Sequence, residues 1–223
     1  LKIAIGFNPI QDSWGGGNQF ANSLRKEAIS KGHTITNELK EIDIDIILLT
    51  DPRSFNYGVA FGPLEILIYL LFKNKNAVVV HRLNECDERK NTRHMNSFLR
   101  WANYLSDHNI FISRWLTYLN IYERNKPSTV ILNGADEQVF NDSENKPWVK
   151  GEPLKIVTHH WSSNKMKGFD VYERLDQLIL SEEWRGKIEF TYIGNIPKGF
   201  NFKSTKVIKP ISGKKLANEL SRH

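Results

Sequence analysis

Val78-Val79-Val80-His81-Arg82-Leu83-Asn84-Glu85, preceded by Ala77, is the stretch that decides the fold. Four small or β-branched apolar residues in a row, with no polar alternation, suit a strand covered on both faces. The run then ends on a histidine and an arginine. In open α/β sheets, ligand crevices form beyond the carboxyl ends of such strands. One short segment therefore predicts both a buried parallel sheet and a place to look for chemistry.

Working outward, similar apolar runs read as strands at 2–7, 33–36, 44–50, 77–81, 109–112 and 129–132. Helix-like patterns lie between them at 18–31, 63–73, 92–107 and 113–122. Strands alternating with helices imply a parallel sheet with right-handed crossovers. The alternation stops at 141–153, NDSENKPWVKGEP, a polar stretch with two prolines and a glycine that reads as a linker. It restarts with strands at 154–161, 187–194 and 206–211, a helix at 168–182 and another from Ser212. The predicted class is α/β, with two Rossmann-like βα domains over 1–145 and 146–223. The second is short for a domain, and the sequence neither starts with Met nor stops at a helix end, so it is expected to be incomplete.

The chain has 223 residues, 40% of them hydrophobic, and a mean hydropathy of −0.45, values typical of a soluble protein with a real core. Its first residues read as a strand rather than a secretion signal. One cysteine, Cys86, excludes an intramolecular disulfide framework and suits a reducing, cytoplasmic compartment. The longest apolar run, 63–72, is about half of what a membrane span needs, so it is expected to be a buried helix. A membrane-facing helix is the alternative, which would allow a peripheral membrane contact.

Charge is unevenly placed. Residues 1–145 carry 16 Lys and Arg against 17 Asp and Glu, whereas 146–223 carry 15 against 8. The basic second half predicts an anionic ligand such as a phosphate ester. No zinc knuckle, paired RNA-stacking aromatics or helix-turn-helix pattern supports nucleic acid, which is not expected as a partner.

Trp14-Gly15-Gly16-Gly17-Asn18-Gln19-Phe20 joins the first strand to the first helix. Such a glycine cluster either cradles a phosphate at a helix start or simply makes a tight turn. It fails the dinucleotide fingerprint, because Phe20 stands where the third glycine is required. Gly194-Asn195-Ile196-Pro197-Lys198-Gly199 has P-loop spacing but is followed by Phe200 and Asn201 instead of Lys and Ser/Thr. Asp43-Ile44-Asp45 looks like a metal-binding carboxylate pair, yet it precedes a strand and alternates with isoleucines, as at a strand edge. His159 and His160 are adjacent on a strand and point to opposite faces. No metal and no resident cofactor are expected.

Three segments stand out together: His81-Arg82 at a strand end, Asn133-Gly134-Ala135-Asp136 at another, and THHWSSNKMKGFD, which brings Lys167 to a helix start. A lysine beside free helix N–H groups can receive a diphosphate, though a lone lysine there is more commonly just solvated. A lone strand-end histidine such as His81 is equally at home as a structural residue.

Taken in order, Gly15-Gly16-Gly17, Gly32-His33, His81, Ser113, Asn133-Gly134-Ala135-Asp136 with Phe140, Lys167-Gly168 with Asp170, and Gly194 resemble the GT-B glycosyltransferases. The likeness is to the large retaining group numbered family 4, also called glycosyl transferases group 1, and it spans nearly the whole chain. The resemblance implies transfer of a sugar from a nucleotide-diphosphate sugar to a hydroxyl on a saccharide or lipid-linked acceptor, with retention and without a metal. It implies that Gly16 and Gly17 face an inter-domain cleft near the donor's diphosphate and the acceptor, that Lys167 binds the donor diphosphate, and that His81 lies near the transferred sugar as the catalytic-site residue. Gly194 ends the next strand, and Asn133 and Asp136 line the cleft. Two departures stand out. Ser162 occupies the place of a usual arginine, leaving Lys165 or Arg82 to supply the second cation. The family's paired glutamates belong downstream of residue 223. Two alternatives stay open: a non-catalytic nucleotide-sugar-binding or partner subunit, and a nucleotide-sugar epimerase of the same architecture.

Overall fold

The computed structural model describes residues 1–10, 15–143, 145 and 147–223. The fold is α/β with two Rossmann-like units, the first ending at Asn133 and the second beginning at Gly134. Among the expected features, Trp14 of the glycine stretch lies outside the described residues.

Unit 1 is built on six parallel strands: β1 (Lys2–Ile5), β2 (Thr34–Thr36), β3 (Ile46–Leu49), β4 (Val78–Leu83), β5 (His108–Phe111) and β6 (Ser128–Val130). Their order is β2-β1-β3-β4-β5-β6. The apolar runs expected to be covered on both sides are. On one face Ile47, Leu49 and Val79 meet Ile66 and Tyr69 of α2 (Pro63–Phe72) and, beyond the short α3 (Asp87–Lys90), Ala102 of α4 (Met95–Asn103). On the other, Ile5, Leu48 and Val80 meet Phe20, Ala21 and Leu24 of α1 (Gly16–Ser30). Successive strand residues point to opposite faces, so Val79 and Val80 serve different layers. A third cluster, Leu83, Cys86, Met95, Leu99, Phe111, Leu116 and Ile121, closes the β5 side.

Polar groups finish the helix ends and the loops. Lys126 Nζ donates to the carbonyls of Asn103, Tyr104 and Ser106 at 2.9, 2.8 and 2.6 Å, supplying the last turn of α4 with the donors it lacks. Asp87 does the converse, its carboxylate accepting from the N–H groups of Met95 and Asn96 at 3.0 Å each. That cap sets the start of the helix expected over 92–107, which runs only from Met95 to Asn103. The helix expected over 113–122 is a single 3-10 turn, Arg114–Tyr118. A continuous helix would rotate Ile121 well away from Leu116. Leu119 is extended instead (φ −79°, ψ 157°), and Ile121 is fully buried with Leu116.

The expectation that 63–72 is a buried helix holds for one side only. Pro63, Ile66 and Tyr69 are buried, whereas Leu64, Ile68, Leu71 and Phe72 are exposed. No helix among the described residues is long and apolar enough to cross a membrane.

Unit 2 has three parallel strands, β7 (Leu154–His160), β8 (Ile188–Gly194) and β9 (Lys206–Ile208), in that order, with helices α5 (Phe169–Leu180) and α6 (Gly213–Leu220). Its centre is aromatic: Phe169, Tyr172, Phe190, Tyr192, Phe200 and Phe202 stand ring to ring at 4.9–6.2 Å. Buried Asp176 of α5 accepts from the N–H groups of Lys203, Ser204 and Thr205 at 2.7–2.9 Å and from the Thr205 hydroxyl. One carboxylate thus fastens the turn that leads into β9.

Candidate functional site

In unit 2 the site begins where β7 ends. His160 lies in a half-buried aromatic box of Phe169, Tyr172 and Tyr192, with ring centroids 5.2–5.9 Å away. Its Nδ1–H donates to the Ser162 carbonyl at 2.7 Å, while Nε2 is buried without a partner among the described residues. Burial pushes the pKa down, the Ser162 bond opposes that, and the Lys167 charge adds to the depression. The ring is therefore neutral, and it holds the loop that follows. Tyr192 donates to the Asn195 carbonyl at 2.7 Å, and Asn195 Nδ2 donates to the Trp161 carbonyl at 2.8 Å. The loop is gripped from both strand ends.

Within residues 162–168 the chain folds on its own side chains. Asn164 N–H donates to Ser162 Oγ at 3.1 Å, and Asn164 Oδ1 caps Met166 N–H at 2.9 Å. The result is a 3-10 turn, Lys165–Lys167, set directly before α5. Gly168, with φ 96° and ψ 20°, joins them, a left-handed conformation that glycine adopts without strain. The N-cap of α5 is Gly168, which has no side chain to cap the first turn. Lys165 and Lys167 are exposed and form no ion pair among the described residues. Two free cations thus flank an uncapped helix start, whose N–H groups and dipole favour an anion. Lys167 belongs to the turn before the helix rather than to the helix itself.

Gly194 has a structural requirement of its own. Its φ is 151°, and a Cβ there would lie 2.1 Å from the His160 carbonyl oxygen, because the two residues pair in register at the carboxyl ends of β7 and β8.

In unit 1, β4 continues through Leu83, so His81 and Arg82 sit inside the strand rather than just past it. Pairing with β5, rather than the apolar run alone, sets its length: Arg82 faces Ile110 and Leu83 faces Phe111. Their side chains take opposite faces. His81 is fully buried, with no partner for either ring nitrogen among the described residues. Burial pushes its pKa down to about 4, only partly offset by the nearby Asp51 charge.

Arg82 is 4% exposed. Its guanidinium lies 3.7 Å from the ring centroid of Phe20 and donates to Asn133 Oδ1 at 2.9 Å. Burial lowers its pKa to about 10. Asp51 is committed to Arg53 through bonds of 2.9 and 2.7 Å. Gly16 and Gly17 form the first turn of α1, and a Cβ at either would meet none of the described residues within 4 Å. Asn18 closes the loop after β1 by exchanging two 2.8 Å bonds with the Ile10 backbone.

The remaining expected positions are apart from these groups. Asp136 is exposed and organises a local turn, accepting from Gln138 N–H at 3.0 Å. Asp43 binds Lys2 Nζ and Asp45 accepts from Lys2 N–H at 2.7 Å, both at the amino end of β3 and so at the opposite strand end from His81. Ser113 precedes the 3-10 turn at 114–118. Sequence reading missed Phe20 as the plate under Arg82, and Tyr192 and Asn195 as braces of the lysine loop. Only the helical spacing from Gly16 to Phe20 hinted at the first.

Comparison with models of protein families gives no match, and comparison with curated proteins gives none. Among solved structures, an alpha-glucosyltransferase in complex with UDP-glucose and DNA containing an abasic site matches 99% of this chain and 69% of its own, with a TM-score of 0.55 and 13% identity. A MnaA–UDP structure from S. aureus matches 95% of this chain and 56% of its own, with a TM-score of 0.42 and 12% identity. The first likeness is one of fold. The second is too loose to add to it.

Proposed function

We propose that the protein binds a nucleotide-diphosphate sugar and transfers the sugar to a hydroxyl acceptor with retention of configuration. The observation that carries this reading is the turn at Lys165–Lys167, two free cations before an uncapped helix. Loss of a nucleotide diphosphate builds negative charge on the leaving group, and fixed positive charges with a helix N-terminus stabilise that charge as it forms. The fold shared with the alpha-glucosyltransferase bound to UDP-glucose supports a sugar nucleotide as the donor. Unit 2 would hold the diphosphate through Lys165, Lys167 and Ser162. Unit 1 would serve the acceptor.

A divalent metal is not needed in this scheme, because the cations and the helix dipole carry the load. Asp43 and Asp45 are already engaged by Lys2. One observation favours the binding-subunit alternative: His81 is fully buried and has no surface to offer a sugar. Turnover with UDP-glucose separates the two readings.

The direct test is calorimetry of the full chain with UDP and UDP-glucose, and with ADP and GDP as comparators. Lys167→Ala should weaken binding of the preferred nucleotide by about 1–3 kcal/mol, the scale of one charge-assisted contact. Unchanged affinity would remove Lys167 from the site. Loss of turnover on EDTA, restored by Mn²⁺, would overturn the metal-independent scheme.

A further inference from the structure

We infer that Arg82, with Asn133 and the first turn of α1, forms a second anion site, confined to unit 1, that takes a phosphate group of the acceptor. The inference rests on the proposed transferase reading for the word acceptor, and on unit 1 alone for the site.

A guanidinium that is 4% exposed needs compensation. Buried arginines are ordinarily matched by a carboxylate, because an uncompensated buried charge costs several kcal/mol. Among the described residues no carboxylate pairs with it. Asp51, the acid on the neighbouring strand, is taken by Arg53 in a bidentate pair. The single hydrogen-bond partner of Arg82 among the described residues is the neutral amide oxygen of Asn133, which satisfies one of five N–H groups. The Phe20 ring covers one face of the guanidinium plane and fixes its orientation without neutralising it. A planar fork held flat, with in-plane N–H groups unspent, suits bidentate recognition of a phosphate.

The helix that supplies Phe20 supports the same ligand. Gly16 and Gly17 lie four and three residues before Phe20 and so on its side of α1. Neither carries a side chain, and no atom of the described residues lies within 4 Å of the positions their Cβ atoms would take. The α1 face adjoining the guanidinium is therefore bare backbone at a helix start, and the first turn contains no acidic residue. A helix of 15 residues places its positive pole there. The lysine pair of unit 2 is already proposed for the donor diphosphate, so the Arg82 site is assigned to a second anionic group. A phosphorylated sugar or a lipid phosphate would each provide it.

The test is calorimetry of the full chain with inorganic phosphate, in saturating UDP so that the lysine turn is occupied. Wild type is expected to bind phosphate under these conditions. Arg82→Gln should weaken binding at least about tenfold, near 1.4 kcal/mol. Asn133→Ala, an exposed position whose loss leaves the core intact, should weaken it severalfold. Lys167→Ala should leave it unchanged. Wild-type affinity in both Arg82→Gln and Asn133→Ala would overturn the site. Abolition of phosphate binding by UDP would overturn the acceptor assignment, because the anion would then be the donor's. Failure of UDP itself to bind would strike the donor reading and leave the phosphate result to be judged alone. If phosphate binds as expected, phosphorylated and unphosphorylated sugars and vesicles with and without a phosphomonoester lipid then separate soluble from membrane sources.

Discussion

Unit 1 and unit 2 share a βα plan but are stabilised in different ways. Unit 1 sandwiches six strands between aliphatic layers, with Ile, Leu and Val on both faces. Unit 2 has three strands and relies on rings and on single polar clamps, Asp176 at one edge and His160 at the other. The cations follow the same division. Arg82 of unit 1 is buried and stacked, whereas Lys165 and Lys167 of unit 2 are exposed. A buried cation is fixed in advance and selects by geometry, whereas exposed lysines act as adaptable point charges. The larger core can tolerate a strained residue, while the smaller one depends on a few contacts.

The sharpest way to break unit 2 is Gly194→Ala. The methyl would sit 2.1 Å from a backbone carbonyl at a φ that L-residues avoid, so the pairing of β7 and β8 must shift. A loss of about 3 kcal/mol or more is expected, seen as early loss of unit 2 in hydrogen exchange while unit 1 stays protected. Equal protection of both units would show that β7 and β8 separate at no cost.

Acid should act in the reverse order. His81 is neutral when folded, and its pKa lies at about 4 against about 6.5 in an unfolded chain. The unfolded state then binds more protons, so unit 1 loses stability as pH falls from about 6.5 to 4, by up to about 3 kcal/mol. His81→Leu should flatten that slope in urea titrations. Asp176 behaves oppositely. Burial opposes its ionisation, but the Thr205, Lys203 and Ser204 donors prevail and hold its pKa below the usual carboxylate range. Its contribution is complete above pH 4 and is lost only as pH drops through the lowered value. Asp176→Asn should cost about 2 kcal/mol at pH 7 and remove that acid-sensitive part of unit 2. The smallest expected effect is Tyr192→Phe, about 1 kcal/mol in stability. It frees Asn195 and loosens the lysine loop, so nucleotide affinity should fall more than the melting temperature does.

The alternation of strands and helices was legible because buried parallel strands are short continuous apolar runs, and Ile46–Leu49 and Ala77–Val80 are such runs. The glycine at 194 was legible as a strand end but not as a close approach, because the neighbour it touches is 34 residues away. Lys167 could be placed near a helix start from the Lys-Gly-Phe-Asp order, while the 3-10 turn beneath it depends on Asn164. The short turn at 114–118 was misread as a longer helix, since its apolar spacing is nearly helical and only the docking of Ile121 breaks it. His81 could be found but not its environment. Whether a strand-end histidine faces solvent or a core is decided by its neighbours on β3 and β5.

Cys86 belongs to the third cluster of unit 1, fully buried among Leu83, Met95 and Phe111, and burial pushes its thiol pKa up to about 11. The thiolate is the reactive species, so the folded chain should resist alkylating reagents at neutral pH. Because the chain has one cysteine, labelling it becomes a clock for unit 1 alone. Each modified molecule records an opening of that core, and unit 2 can melt unnoticed. The same sulfur that takes no part in ligand binding thereby offers an untagged readout of which half yields first.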